Sequence, residues 1–195
     1  MFDHVHDSQK AYRKLVDSLA KPGTINSLIE ESERLDLPVN CNKSMLLLML
    51  MLLDTEVTFQ ILSENSEKIA KYINQFTYAK VAPLEEADFI FVLGDSAAKY
   101  LFNAIEGCKL GDLVNPHLSA TLIIEVERIT NENQLILKGP GIKETNYAAI
   151  SLAEDWLHYR AVKNAEYPLG VEFYFIDKEH NLLAIPRTTT ISIKR

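Results

Sequence analysis

The chain has 195 residues, 47% of them apolar and 24% charged, which is the composition of an ordinary water-soluble globular domain with a core of normal size. The formal net charge is −7 and no basic run exceeds two residues, which argues against nucleic acid or an anionic membrane as the main partner. The length predicts one domain, residues 1–195, with no linker, repeat or low-complexity segment.

Asp7 or Ser8 caps a first helix with Ala11, Tyr12, Leu15, Val16 and Leu19 at helical spacing, and Lys21-Pro22-Gly23 ends it. Residues 24–29 form a short strand candidate, and residues 30–43 read as irregular. Residues 45–53 are nine consecutive Leu and Met. A membrane span needs about 20 apolar residues, so this run reads as a central buried helix capped by Asn42 or Ser44. Residues 56–61 alternate as a strand does, and residues 63–66 open a helix with the stripe Ile69, Tyr72, Ile73, Phe76. Residues 79–82 are an extended piece. Residues 88–93 are continuously apolar after the first, as in a strand covered on both faces, and Gly94-Asp95-Ser96 leads into a helix closed by Gly107.

Residues 111–119 are a loop. Residues 120–126 and 134–138 are most simply a hairpin around the polar turn 130–133, ended by Gly139-Pro140-Gly141. Residues 145–164 read as helical, in two pieces if Ser151 and Glu154 form a capping box. Residues 167–176 and 182–193 are two strands joined by a charged turn, the second broken at Pro186-Arg187. Apolar strand, glycine turn and capped helix in alternation predict a three-layer α/β/α sandwich with a mixed sheet.

Little in the chain has the pattern of a catalytic site. Cys41 and Cys108 are far apart and form no CxxC, so they read as thiols in a reducing cytoplasm. The N-terminus lacks the profile of a signal peptide. Asp3, His4, His6 and Asp7 read as a solvated tail rather than a metal site. His117, His158 and His180 have no Cys, Ser or carboxylate at a catalytic spacing, and no phosphate-binding glycine motif occurs. Glu30, Glu31, Glu33, Glu85, Glu86 and Asp88 read as charged loops. Gly139 and Gly141 either terminate a strand or let backbone come close to a ligand or another chain. Arg187 stands between Pro186 and the threonines Thr188 and Thr189. It is either an anion contact with the threonines as co-donors or a structural partner of a carboxylate.

Several blocks together resemble the PhnH family of bacterial phosphonate metabolism. They are Ala11-Tyr12-Arg13-Lys14-Leu15 leading to Pro22-Gly23, the Leu/Met helix closed by Asp54-Thr55, Ala87-Asp88-Phe89, Ala120-Thr121-Leu122 and Leu137-Lys138-Gly139-Pro140-Gly141-Ile142. The most specific are Pro168-Leu169-Gly170-Val171 and Leu183-Ala184-Ile185-Pro186-Arg187-Thr188-Thr189. The resemblance implies a fold like the large domain of aspartate-aminotransferase-type pyridoxal-phosphate enzymes, with the cofactor site lost. It implies a homodimer that also joins PhnG-, PhnI- and PhnJ-like subunits of the carbon–phosphorus lyase core complex. That assembly, with PhnI as nucleosidase, makes ribose 1-methylphosphonate 5-triphosphate from ATP and methylphosphonate, and PhnJ later breaks the C–P bond with an iron–sulfur cluster. It implies no catalytic residue, metal or cofactor in this subunit. Pro168, Gly170, Pro186, Arg187, Thr188, Thr189, Gly139 and Gly141 are its candidate ligand or subunit-contact residues, and a phosphonate or nucleotide is the candidate ligand.

Overall fold

Three apolar runs become parallel strands because each has an apolar face to bury on both sides, and the alternating residues 58–62 join them with mainly one face buried. A computed structural model describes residues 3, 5–36, 39–95, 97–152 and 155–194. Strands β2 (Thr58–Leu62), β4 (Phe89–Val92), β5 (Thr121–Glu125) and β8 (Glu172–Ile176) lie parallel and adjacent, with β3 (Lys80–Val81) parallel at the β2 edge. β9 (Asn181–Ile185) returns antiparallel on β8, and the short β1 (Asn26–Ser27) closes that edge. The seven-stranded order is β1-β9-β8-β5-β4-β2-β3, a mixed sheet as expected.

Alternation along these strands feeds two separate cores. Ile90, Val92, Leu122, Ile124, Phe173, Phe175, Leu183 and Ile185 enter one, while Phe91, Ile123, Tyr174, Ile176, Leu182 and Ala184 enter the other. Helices α1 (His6–Ala20), α3 (Lys43–Leu52) and α4 (Ser66–Thr77) cover the second face. The Leu/Met helix α3 is buried as expected, with Met45, Leu46, Leu47, Leu48 and Met49 in the core. Asn42 caps it by accepting from the backbone N–H of Ser44 at 2.9 Å and of Met45 at 3.4 Å. No helix among the described residues is long and apolar enough to cross a membrane.

The first face is where expectation and structure part. Helices α5 (Ala97–Gly107) and α6 (Trp156–Lys163) lie there, but so does a second sheet of three strands, β10 (Thr190–Ile193), β6 (Ile129–Lys138) and β7 (Asn146–Ile150). The expected hairpin of 120–126 with 134–138 does not form. β5 belongs to the large sheet, whereas β6 pairs with β7 and β10. The expected turn 130–133 lies inside β6, at a register shift between Thr130 and Leu135. Residues 146–150 are strand rather than helix, alternating Ala148 and Ile150 inward. The stretch 30–43, expected to be irregular, opens in a short helix, α2 (Ile29–Ser32).

The N-terminal segment is also firmer than a solvated tail. Asp3 caps α1 by accepting from the N–H groups of Val5 and His6, while Asp7 is buried and paired with Arg34 at 2.6 Å. Two expected charged loops are likewise internal pairs: buried Glu31 takes Lys14 at 2.7 Å and Asp88 takes Lys109 at 2.6 Å. The expected roles of His4, Pro38, Ser96 and Glu154 fall outside the described residues.

Candidate functional site

The break at Pro186-Arg187 is the point where the chain leaves one sheet for the other. β9 ends at Ile185 in the large sheet and β10 starts at Thr190 in the small one. Two arginines hold the crossover. Arg187 Nε donates to Glu172 Oε1 at 2.6 Å, Nη1 to the carbonyls of Pro116 and Pro168 at 3.1 Å each, and Nη2 to Ser119 Oγ at 2.6 Å. Four of its five N–H donors are therefore spent inside the chain. Arg160, buried in α6, donates from Nη2 to the carbonyls of Pro186 at 2.6 Å and Thr189 at 3.1 Å, with its guanidinium over the Phe173 ring. Burial pulls the Arg160 pKa down to about 10, against the opposing pull of Glu172. Arg160 Nε and Thr189 Oγ1 are buried without a hydrogen-bond partner among the described residues.

Seven of the eight candidate residues come together around this crossover. A Cβ on Gly170 would stand 3.2 Å from Arg187 Cβ, and one on Gly139 would stand 2.9 Å from the Thr188 carbonyl. Close approach of the chain to itself accounts for both glycines. Pro168 joins through its carbonyl on Arg187. Thr189 N–H donates to the Pro186 carbonyl at 3.0 Å, closing the turn that contains Thr188. Gly141 lies elsewhere: its φ is +82° and a Cβ there would sit 2.1 Å from the Ala20 carbonyl at the end of α1.

This brace lies at the amino ends of the parallel strands, since Glu172 opens β8 and Ser119 precedes β5. Ligand sites of open α/β sheets lie at the opposite, carboxyl end, where the strand order reverses. Here β2 leads through α4 towards β3, whereas β4 leads through α5 on the other face towards β5, so the reversal falls between β2 and β4. Ser63 Oγ and the Glu64 N–H both donate to Asp95 Oδ2 across that point, at 2.7 and 3.2 Å. Beside it is a cleft of about 760 Å³ walled by Leu101, Phe102, Val126 and Leu152, with Asp95, Glu125, Glu127 and Lys178 as its charged lining. Glu125 accepts from the Gly94 N–H at 2.9 Å, and Lys178 is paired with Glu127 at 2.5 Å. Three carboxylates against one ammonium make the cleft unfavourable for phosphate.

The remaining candidates are structural. Cys41 is pushed up to about 12 by burial and by Glu125 and Asp95, and Cys108 up to about 11 by burial, so neither offers a thiolate. Sequence spacing did not expose one contact: His180 Nδ1 lies 2.9 Å from Ser44 Oγ, 136 residues away. Ser44 is fully buried, and Asn42 Nδ2 also donates to the Asp177 carbonyl, so this pair fastens α3 to the β8–β9 turn and presents no nucleophile. No group of three metal-ligating side chains occurs among the described residues.

What fold and site define is a layered α/β domain whose polar clusters are used internally. The sequence profile described as "Bacterial phosphonate metabolism protein (PhnH)" matches residues 1–192, and the chain belongs to that family. A protein of Stutzerimonas stutzeri named "Putative C-P lyase subunit protein HtxG" is 27% identical over 187 residues, covering 95% of this chain and 86% of its own length. The "Alpha-D-ribose 1-methylphosphonate 5-triphosphate synthase subunit PhnH" of Rhizobium meliloti (strain 1021) is 29% identical over 191 residues, covering 97% and 92%.

Proposed function

We propose that this chain is a subunit of a phosphonate-processing enzyme assembly of the kind its relatives are named for, and that it contributes structure rather than catalytic groups. In this reading it is needed, with PhnG-, PhnI- and PhnJ-like subunits, to form α-D-ribose 1-methylphosphonate 5-triphosphate from ATP and methylphosphonate in the cytoplasm. The observation that carries it is a match running the length of the chain to proteins named as subunits. The use of four of the five Arg187 N–H donors by its own fold supports the structural role. Two finer parts belong to the same proposal: kinship of the scaffold with the pyridoxal-phosphate transferase large domain, and a homodimer when the chain is alone. The competing reading, a phosphonate or nucleotide gripped by Arg187, Thr188 and Thr189, has only one free guanidinium N–H to draw on.

Deleting the gene in its host and supplying it back tests the proposal. Growth on methylphosphonate as sole phosphorus source should vanish with the deletion and return with the intact chain. Unimpaired growth of the deletion strain contradicts the proposal.

A further inference from the structure

The two carbonyls on Arg187 Nη1 belong to two separate loops, and what those loops carry is apolar. Pro116 sits in residues 111–119 and Pro168 in residues 166–169. Sharing one nitrogen at 3.1 Å brings the two loops into contact. On them Val114 is 85% exposed, Tyr167 77%, Leu113 74% and Leu118 48%. Large apolar side chains this exposed, carried on two adjoining loops, are the feature of a contact surface.

The patch is also held in shape. Asp112 Oδ1 accepts from the N–H groups of Val114 and Asn115 at 2.7 Å each, and Leu118 N–H donates to the Asn115 carbonyl at 3.1 Å. Gly111 permits the fold-back: its φ is +73° and a Cβ would lie 2.8 Å from the Asn115 carbonyl. A loop ordered in advance loses little freedom on binding. Within the two loops the carboxylates are Asp112 and Glu166, no lysine or arginine occurs in either, and the chain as a whole carries −7. Two copies meeting on this patch would bring like charges together around the apolar centre. A basic-rimmed partner would not.

We propose that residues 111–119 and 166–169 form a docking surface for a non-identical protein subunit, one with an apolar contact ringed by lysine or arginine, and that Arg187 is its positioning residue. This rests on the subunit reading above. Val114, Leu113 and Tyr167 supply the apolar anchors, a role to which tyrosine is well suited. Asp112 and Glu166 select the partner by charge. Arg187 touches no partner but sets the distance between the loops.

The test is co-expression of the chain with the remaining subunits of its host's synthase, followed by size-exclusion chromatography and hydrogen exchange. In the wild-type complex, residues 111–119 and 166–169 should be protected relative to the free chain. The triple variant Leu113→Ser/Val114→Ser/Tyr167→Ser should bind about tenfold or more weaker while melting at the wild-type temperature, because none of the three is packed internally. Asp112→Lys/Glu166→Lys should weaken binding further at low salt than at high salt. Arg187→Lys should weaken binding with increased exchange in both loops of the free chain. If wild type and triple variant both co-elute undiminished, the surface is wrong while the subunit reading stands. If the free chain self-associates with these loops protected, the occupant is a second copy and the proposal fails. If wild type co-elutes with no subunit, the subunit reading itself fails.

Discussion

Glu172 accepts two hydrogen bonds from one residue: the backbone N–H of Arg187 at 2.7 Å on Oε2 and its Nε–H at 2.6 Å on Oε1. One carboxylate thus fixes both the backbone and the side chain of the residue that turns the chain from the large sheet to the small one. Both side chains are mostly buried, so their geometry is retained and the pair is shielded from solvent.

Removing one partner of such a pair strands the other. Arg187→Ala should lower unfolding stability by about 3 kcal/mol, read as a shift of the urea midpoint at unchanged slope. Arg187→Lys should recover less than half of that, because an ammonium cannot reach Glu172, Ser119 and two carbonyls in one plane. A lysine variant as stable as wild type would show that the fork geometry is unimportant.

Asp88 should give part of the acid limb of stability. Burial pushes its carboxyl up, but the bond from Lys109, the two from Thr58 and the Lys109 charge outweigh burial and hold it below the usual value. A carboxyl lowered on folding stabilises above its unfolded pKa of about 3.9 and loses that contribution as pH falls through its folded value. Asp88→Asn should therefore cost stability at pH 7, and the gap from wild type should close below about pH 4. A gap that stays constant through the acid range would contradict this.

Thr189→Val is expected to be neutral or stabilising by up to about 1 kcal/mol. The hydroxyl it removes is buried without a partner among the described residues, and the shape is kept. By contrast Gly141→Ala should be severe, about 3 kcal/mol or more, because φ is +82° and the new Cβ would overlap the Ala20 carbonyl. Thermal melts of the two variants side by side decide both.

ATP and methylphosphonate should leave the melting temperature of the isolated chain unchanged. Arg187 has one N–H to spare, and the carboxyl-end cleft is lined by three carboxylates and one lysine. A rise that disappears in Arg187→Ala would favour the ligand-binding reading instead.

The central strands of the large sheet were legible because burial on both faces leaves unbroken apolar runs such as residues 89–93 and 122–124. α3 was legible from nine Leu and Met behind an Asn cap. The small sheet was not. In Asn146-Tyr147-Ala148-Ala149-Ile150 two alanines erase the alternation that marks a strand. β6 carries polar Thr130 to Gln134 where it is exposed, which reads as a turn. The brace was half legible: Pro186-Arg187 announced a special arginine, but its partners Glu172, Ser119 and Pro116 lie 15, 68 and 71 residues away. No local pattern encodes such contacts. The acid-lined cleft was invisible for the same reason, since it gathers the ends of four strands and one helix.

A subunit of an assembly should be recovered with its partners. Native mass spectrometry of the chain co-expressed with the other subunits of its host's synthase should show one complex containing this chain in fixed stoichiometry with them. Recovery of the other subunits as a complete, active synthase with this chain left free would contradict the subunit reading.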